Sequence, residues 1–413
     1  MPRLMNYAAA ALMDMLIGCS ALGLTLLGAV PDSPFNVPDF NFRFALLMSV
    51  GGLGTALGSI YLSRLSDRFG RRPIILIGLF GVIGSCLLYA VSNRWWHLFA
   101  ITVGRSAFMG MFWPSLEARI TDGAEGREMT RRLGWFGISF CSGLLLGYPI
   151  SGLLHDASPR TPFFVGAGIG ALLWLMLHQT FRRDTTHDGH VLGDAEADDP
   201  NPQPLPPPPV RRAFLLSAWI ANALSYAGAS VLRNLFPRFA RLPAPDGLGF
   251  SGFDAGLIAG GSSAAMLLAF VVFGGYHFWH YRYRYLIGGQ GAMLAGAVIF
   301  AAASSMPVLL AGSLFFGAGA GVVYMSSIYY SLEGHARRAG QSGLHEGILC
   351  FGWCGGMLIV ALISRQVTAA RTPYWACAAL LAAGMLIQAT IYSVARGRAG
   401  ESDEHQPARS EPA

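Results

Sequence analysis

Twelve stretches of about 20 apolar residues, joined by short polar connections, constrain this chain more than any other feature. At about 1.5 Å of rise per residue, a 20-residue helix crosses a hydrocarbon core of roughly 30 Å. Inside lipid, only helices and closed barrels satisfy their own backbone, and barrel strands need just about 10 residues. The stretches fall near 7–30, 44–62, 73–91, 95–120, 133–154, 162–181, 213–235, 254–276, 284–304, 307–332, 343–364 and 372–395. The expected fold is therefore an all-α polytopic membrane protein with twelve transmembrane helices. Charged residues make up only 13% of the chain, about half the usual share of roughly 25%. That leaves too little polar surface for a soluble enzyme of two or three domains.

The formal net charge is +6, and every basic residue is Arg. A basic balance raises nucleic acid as a partner. These arginines, however, sit at helix ends and in short loops, where membrane orientation accounts for them. Twenty of the 29 fall on the side that carries the N-terminus. Both termini are therefore expected to be cytoplasmic, in a multi-pass protein of the inner membrane. The first apolar stretch follows Arg3, exceeds 20 residues and is interrupted by Asp14, so it reads as a span and not a removable signal peptide. The six cysteines all lie inside apolar runs and suggest neither a metal site nor a disulfide.

Residues 184–212 are the one long connection. Six acidic residues precede the proline run 200–209, and Arg211 and Arg212 follow. Such a segment buries little apolar area and reads as a cytoplasmic linker. It divides a six-helix bundle at 1–183 from another at 213–396, with residues 397–413 expected to be a disordered tail. The halves echo each other. Ser115-Leu116-Glu117 closes the fourth span, and Ser331-Leu332-Glu333 closes the tenth. Gly134, Gly143 and Gly147 in the fifth span repeat their spacing as Gly343, Gly352 and Gly356 around the eleventh.

The most specific motif lies between spans two and three, where Ser63-Arg64-Leu65-Ser66-Asp67-Arg68-Phe69-Gly70-Arg71-Arg72 fills a tight turn. Gly70 can adopt a turn conformation closed to residues with a Cβ. Asp67 is placed to engage the N–H groups of a helix start. Arg68, Arg71 and Arg72 can make forked bonds to carboxylates at neighbouring helix ends. This turn resembles the first signature of the major facilitator superfamily, Gly-x-Leu-x-Asp-Arg-x-Gly-Arg-Arg, with Ser63 in place of the opening Gly. The resemblance covers the whole chain and implies two pseudo-symmetric six-helix bundles that rock about a midplane site. It implies that Asp67, Arg68 and Arg71 latch a cytoplasmic gate, with Glu117 as the carboxylate partner of an Arg there. Glu333 would play the matching part in the second half, with Arg337 or Arg338. The second-half turn at 277–282 lacks the signature.

Two charges fall at lipid depth, Asp14 in span one and Arg105 in span four. Such charges are costly, mark ion or substrate paths and find partners. They are expected to form a couple in the cavity, through which protonation of Asp14 shifts the equilibrium between inward-open and outward-open states. Arg105 resembles the Arg of the family's span-four pattern Arg-x-x-x-Gly, with Met109 in the Gly position and Gly110 one later. Gly143, Gly147, Pro149 and Gly152 in span five allow close helix contact and a bend. They look like the family's antiporter motif, altered by Tyr148 before Pro149 and a single closing Gly. His345-Glu346 reads as a helix-start cap, and Trp113-Pro114 as a kink that presents an aromatic. Asn222, Tyr226, Gln290, Tyr324 and Tyr329 are polar groups within spans.

No catalytic constellation appears, and without Lys no phosphate loop of the GxxxxGK[ST] type exists. The chain is expected to be no enzyme, to need no cofactor and no metal, and to act as a monomer in the lipid bilayer. The expected function is secondary active transport of a small organic molecule, coupled to protons and directed outward. A proton-coupled importer of a sugar or organic acid and a non-transporting membrane sensor are the alternatives.

Overall fold

A computed structural model describes residues 2–124, 126–183, 206–276, 278–333, 338–364 and 370–404. Among the described residues the chain forms twelve long helices. The first six are α1 (Pro2–Leu26), α2 (Phe40–Tyr61), α3 (Arg71–Val91), α4 (Trp95–Thr121), α5 (Gly126–Ala157) and α6 (Thr161–Arg183). The second six are α7 (Pro208–Asn234), α8 (Gly252–Gly274), α9 (Tyr283–Ala302), α10 (Met306–Leu332), α11 (Arg338–Ser364) and α12 (Thr372–Glu404). Short helices at Arg64–Phe69 and Phe236–Arg241 fill two of the connections.

Eleven of these helices are long and apolar enough to cross a membrane, and the twelfth long helix, α4, carries Arg105 and Glu117. Large side chains such as Phe80, Leu88, Leu268 and Leu386 point outward, as a lipid-facing surface requires. The chain is a multi-pass membrane protein. Helix starts and stops follow local chemistry. Pro208 and the following residue open α7, where a missing N–H costs nothing. Ser251 and Asp254 form a reciprocal capping box at the start of α8.

Two sequence expectations need correction here. Residues 208–212 of the expected linker are the first turn of α7, and α12 continues to Glu404, well into the expected tail. In both places adjoining helix propagates into polar sequence, because extending a formed helix is easier than nucleating one. The remainder of the linker, 184–205, and residues 405–413 lie outside the described residues.

The two halves meet along α5 against α8 and α2 against α11. The repeated glycines show how the halves correspond. Gly143 and Gly147 of α5 press on the backbone of Ala11 and Met15 in α1. Gly352 and Gly356 of α11 press on Ala223 and Ala227 in α7 in the same manner. Gly134 meets Gly274 of α8, while Gly343 meets Ser59 and Ser63 at the end of α2. Small residues let each of these backbones approach closely, which is how helices associate where apolar surface alone offers no advantage. Pro149 bends into the gap beside Gly256 and Gly260 of α8.

Candidate functional site

Between the halves lies a cavity of about 260 Å³. Both halves give it aromatic side chains, Tyr89, Trp113, Phe136, Phe140 and Tyr148 from one and Tyr226, Tyr324 and Trp353 from the other. Four charged side chains also line it: Asp14, Arg105, Arg233 and Glu346. Counting about 1.5 Å per residue from the helix ends gives their order along the bundle axis. Glu346 stands nearest the face that carries the chain ends, Asp14 follows at mid-depth, and Arg105 and Arg233 stand toward the far face.

Asp14 is buried, and Arg233 is the cation whose charge acts on it across the cavity. Arg105 turns elsewhere. Its guanidinium donates to Ser20 Oγ at 2.9 Å and to Cys86 Sγ at 3.8 Å, and it lies over the Tyr89 ring at 5.9 Å. The expected Asp14–Arg105 couple is therefore not what the structure builds, although both residues line the cavity. Its hydrogen bonds hold it elsewhere. Ser20, the partner of Arg105 on α1, is six residues above Asp14, or about 9 Å along the helix. Arg233, near the end of the apolar stretch 213–235, is among the arginines that membrane orientation accounts for in the sequence. It lies inside α7, and its Nη2 donates to Ser262 Oγ at 3.2 Å. Its apolar flanks, Val231-Leu232 and Leu235-Phe236, were the available signal.

The turn after α2 holds its residues close to the chain-end face. Gly70 joins the short helix to α3 at φ +89°, a conformation that favours glycine. Arg71 pairs with Asp122, at the end of α4, and Arg72 Nη1 donates to the Phe181 carbonyl at 3.5 Å. Arg68 is exposed, its guanidinium 5.3 Å from the Phe69 ring centre. The side chain of Asp67 lies outside the described residues.

Glu117 does not pair with an arginine of this turn, and that expectation is corrected. It is 1% exposed and faces the other half. Tyr324 donates to its Oε1 at 3.1 Å, Ser342 donates to its Oε2, and the carboxyl of Glu346 lies against it. Asp122, five residues further along, takes the place beside Arg71. Glu333 likewise engages hydroxyls, accepting from Tyr329 at 2.7 Å and from Tyr281. Arg337 and the side chain of Arg338 lie outside the described residues. Burial and then the adjacent Glu333 carboxylate push the Tyr281 phenol well above its ordinary range.

Contacts between the halves also flank the cavity on both sides. Toward the chain ends, Phe140 of α5, Phe270 of α8 and Tyr324 of α10 form a triangle of edge-on rings with centres 5.4–5.7 Å apart. At the far face, Asp156 of α5 accepts from the Gly252 and Phe253 backbone N–H groups, both at 3.3 Å, and pairs with Arg241 at 2.9 Å. Arg238 Nε donates to the Gly28 carbonyl at 3.1 Å. Gly152 of α5 packs directly on the Gly252 backbone there.

Of the polar span residues, Tyr226 and Tyr324 face the cavity. Gln290 of α9 and Gln388 of α12 exchange two amide hydrogen bonds of 2.8 Å in full burial. Glu346 is eight residues into α11, not at its cap, because that helix starts earlier than its apolar run.

The sequence profile described as Major Facilitator Superfamily matches residues 13–356. The chain belongs to the major facilitator superfamily. It is 32% identical over 146 residues to the tetracycline resistance protein, class B, of Escherichia coli, covering 35% of this chain and 36% of that protein. It is 27% identical over 158 residues to the quinolone resistance protein NorA of Staphylococcus aureus, covering 38% of this chain and 40% of that one. The matched stretch thus spans well under half the length of these curated relatives. The fold is similar to that of the human organic anion transporter MFSD10 (TETRAN). That comparison has a TM-score of 0.66 and 14% identity, and covers 94% of this chain and 99% of that one.

Proposed function

We propose that this chain is a secondary active transporter that exports small amphipathic organic molecules in exchange for protons. The two bundles rock about the cavity, in the inner membrane, with both chain ends in the cytoplasm. The observation that supports this most is the cavity itself. Two buried carboxyls, two guanidiniums and eight aromatic side chains face one hollow between two halves, with contacts between the halves on either side of it. An aromatic wall suits an apolar body, and isolated charges in lipid-depth surroundings suit a charged head or a coupling ion. The bacterial relatives, named as resistance proteins for tetracycline and for quinolones, support the outward direction.

In this reading Asp14 is a proton-carrying group, and Arg233, not Arg105, is its counter-charge. Protonation of Asp14 removes its attraction to Arg233 across the cavity and favours a different separation of the halves. The test uses purified protein in liposomes with an imposed pH gradient and tetracyclines and quinolones as probe compounds. Asp14→Asn is expected to abolish gradient-driven flux while leaving probe binding measurable. Full coupling in that variant overturns the reading.

A further inference from the structure

Two carboxyl groups from opposite halves meet on the chain-end side of the cavity. Glu117 comes from α4 and Glu346 from α11, and they are 1% and 6% exposed. Two buried carboxylates in contact cannot both be ionised unless a cation stands between them. Among the described residues, no basic group is among those that act on either one. The groups that face the pair come from four helices. Tyr324 of α10 and Ser342 of α11 donate to Glu117. Asp14 of α1 and Tyr226 of α7 act on Glu346 across the cavity, and Cys350 lies one turn beyond it. His345 is turned away, its Nδ1 3.1 Å from Ser327 Oγ. Among the described residues, every neighbour named here is neutral or acidic.

We propose that Glu117 and Glu346 form a shared proton-binding site that locks the two halves together on the chain-end side. Both oxygens of Glu117 already accept, from Tyr324 and from Ser342. The proton therefore sits on Glu346, whose O–H donates to Glu117. Glu346 lines the cavity, whereas Glu117 does not, so the proton arrives through the cavity while this side is closed. When the halves part here, water reaches each carboxyl separately, Glu346 becomes ionised, as Glu117 already is, and the proton leaves on the chain-end side. Binding on one side and release on the other is what exchange transport needs. To this extent the inference rests on the reading of the chain as a proton-coupled transporter.

The experiment needs no transported compound. Full-length protein in lipid nanodiscs is titrated with pH while infrared difference spectra follow the C=O stretch of protonated carboxyls. In parallel, electron paramagnetic resonance measures the distance between labels at Phe69 and Tyr276, both exposed on the chain-end side, one in each half. In the wild type, one carboxyl signal is expected to vanish as pH rises, and the label distance to lengthen over the same pH interval. Glu346→Gln is expected to lose that infrared step and to hold the short distance throughout, and Glu117→Gln, which removes the charged neighbour of the acid, to move the step to another pH. Glu346→Asp, which keeps an acid at the site, restores a pH response if the Gln variants fold poorly. An infrared step that survives in Glu346→Gln, or a wild-type distance that ignores pH, overturns the proposal. If the wild type shows the step but moves no protons in liposomes, the transport reading fails and the site stands.

Discussion

Asp156 is the point at which the far face is most open to a quantitative test. Its carboxylate satisfies two N–H groups at the start of α8 and pairs with Arg241, so one side chain of the first half holds a helix terminus and a cation of the second. Both partners of the ion pair are about a third exposed, so screening limits that pair to about 0.5 kcal/mol. An anion at a helix N-terminus with two backbone donors adds about 1.5 kcal/mol. Replacing Asp156 with Ala therefore removes about 2 kcal/mol from the closed arrangement, a shift of roughly thirtyfold in the closed-to-open ratio. Asn keeps an acceptor but loses the charge and is expected to shift the ratio by about fivefold, or roughly 1 kcal/mol. Labels at Ser158 and Ser305, exposed on the far face of the two halves, report the separation by pulsed electron paramagnetic resonance. The expected result is a graded growth of the longer-distance population, from wild type through Asn to Ala. A distance distribution identical in all three proteins refutes the reasoning.

The Gln290–Gln388 pair gives a double-mutant cycle. Gln290→Leu alone strands a buried amide and is expected to cost about 1–3 kcal/mol, whereas Gln290→Leu with Gln388→Leu returns most of that loss; denaturant titration of the purified protein checks it. Tyr281 predicts a pH effect of defined sign. The folded protein keeps the phenol proton above about pH 10, where the unfolded chain has released it. Stability should therefore fall as pH rises beyond that point, and Tyr281→Phe should flatten the fall in melting temperature.

The twelve spans were legible because a helix that crosses lipid must be long and apolar, and both properties are written residue by residue. The duplication was legible for a related reason: Gly143, Gly147, Gly352 and Gly356 are small because a backbone lies against each. Which backbone it is depends on the direction each helix face takes, and spacing alone does not encode that. The charges were harder to place. Arg233 stands near the end of its apolar run, where an arginine reads as an orientation charge, and Glu346 near the start of its own, where a carboxylate reads as a cap, although both line the cavity. Glu117 was matched to the nearest arginines in sequence logic, but its side of α4 turns toward α10 and α11. Contacts between the halves are the least legible, since they join residues roughly 100 to 300 positions apart.

The composition of α4 bears on how the protein is made. Trp95–Thr121 holds Arg105, Glu117 and Arg119 and, unlike the other long helices described, falls short of the apolarity that would let it cross unaided. A segment of that kind leaves the translocon poorly on its own. It follows α3, a strongly apolar helix, after only the three residues 92–94, and packs along it. Entry as an antiparallel hairpin, with α3 drawing its partner into the bilayer during synthesis, reconciles a polar core strut with a lipid-bound fold. Changes that weaken α3 should then surface first as failed biogenesis, before any change in the finished molecule can be measured.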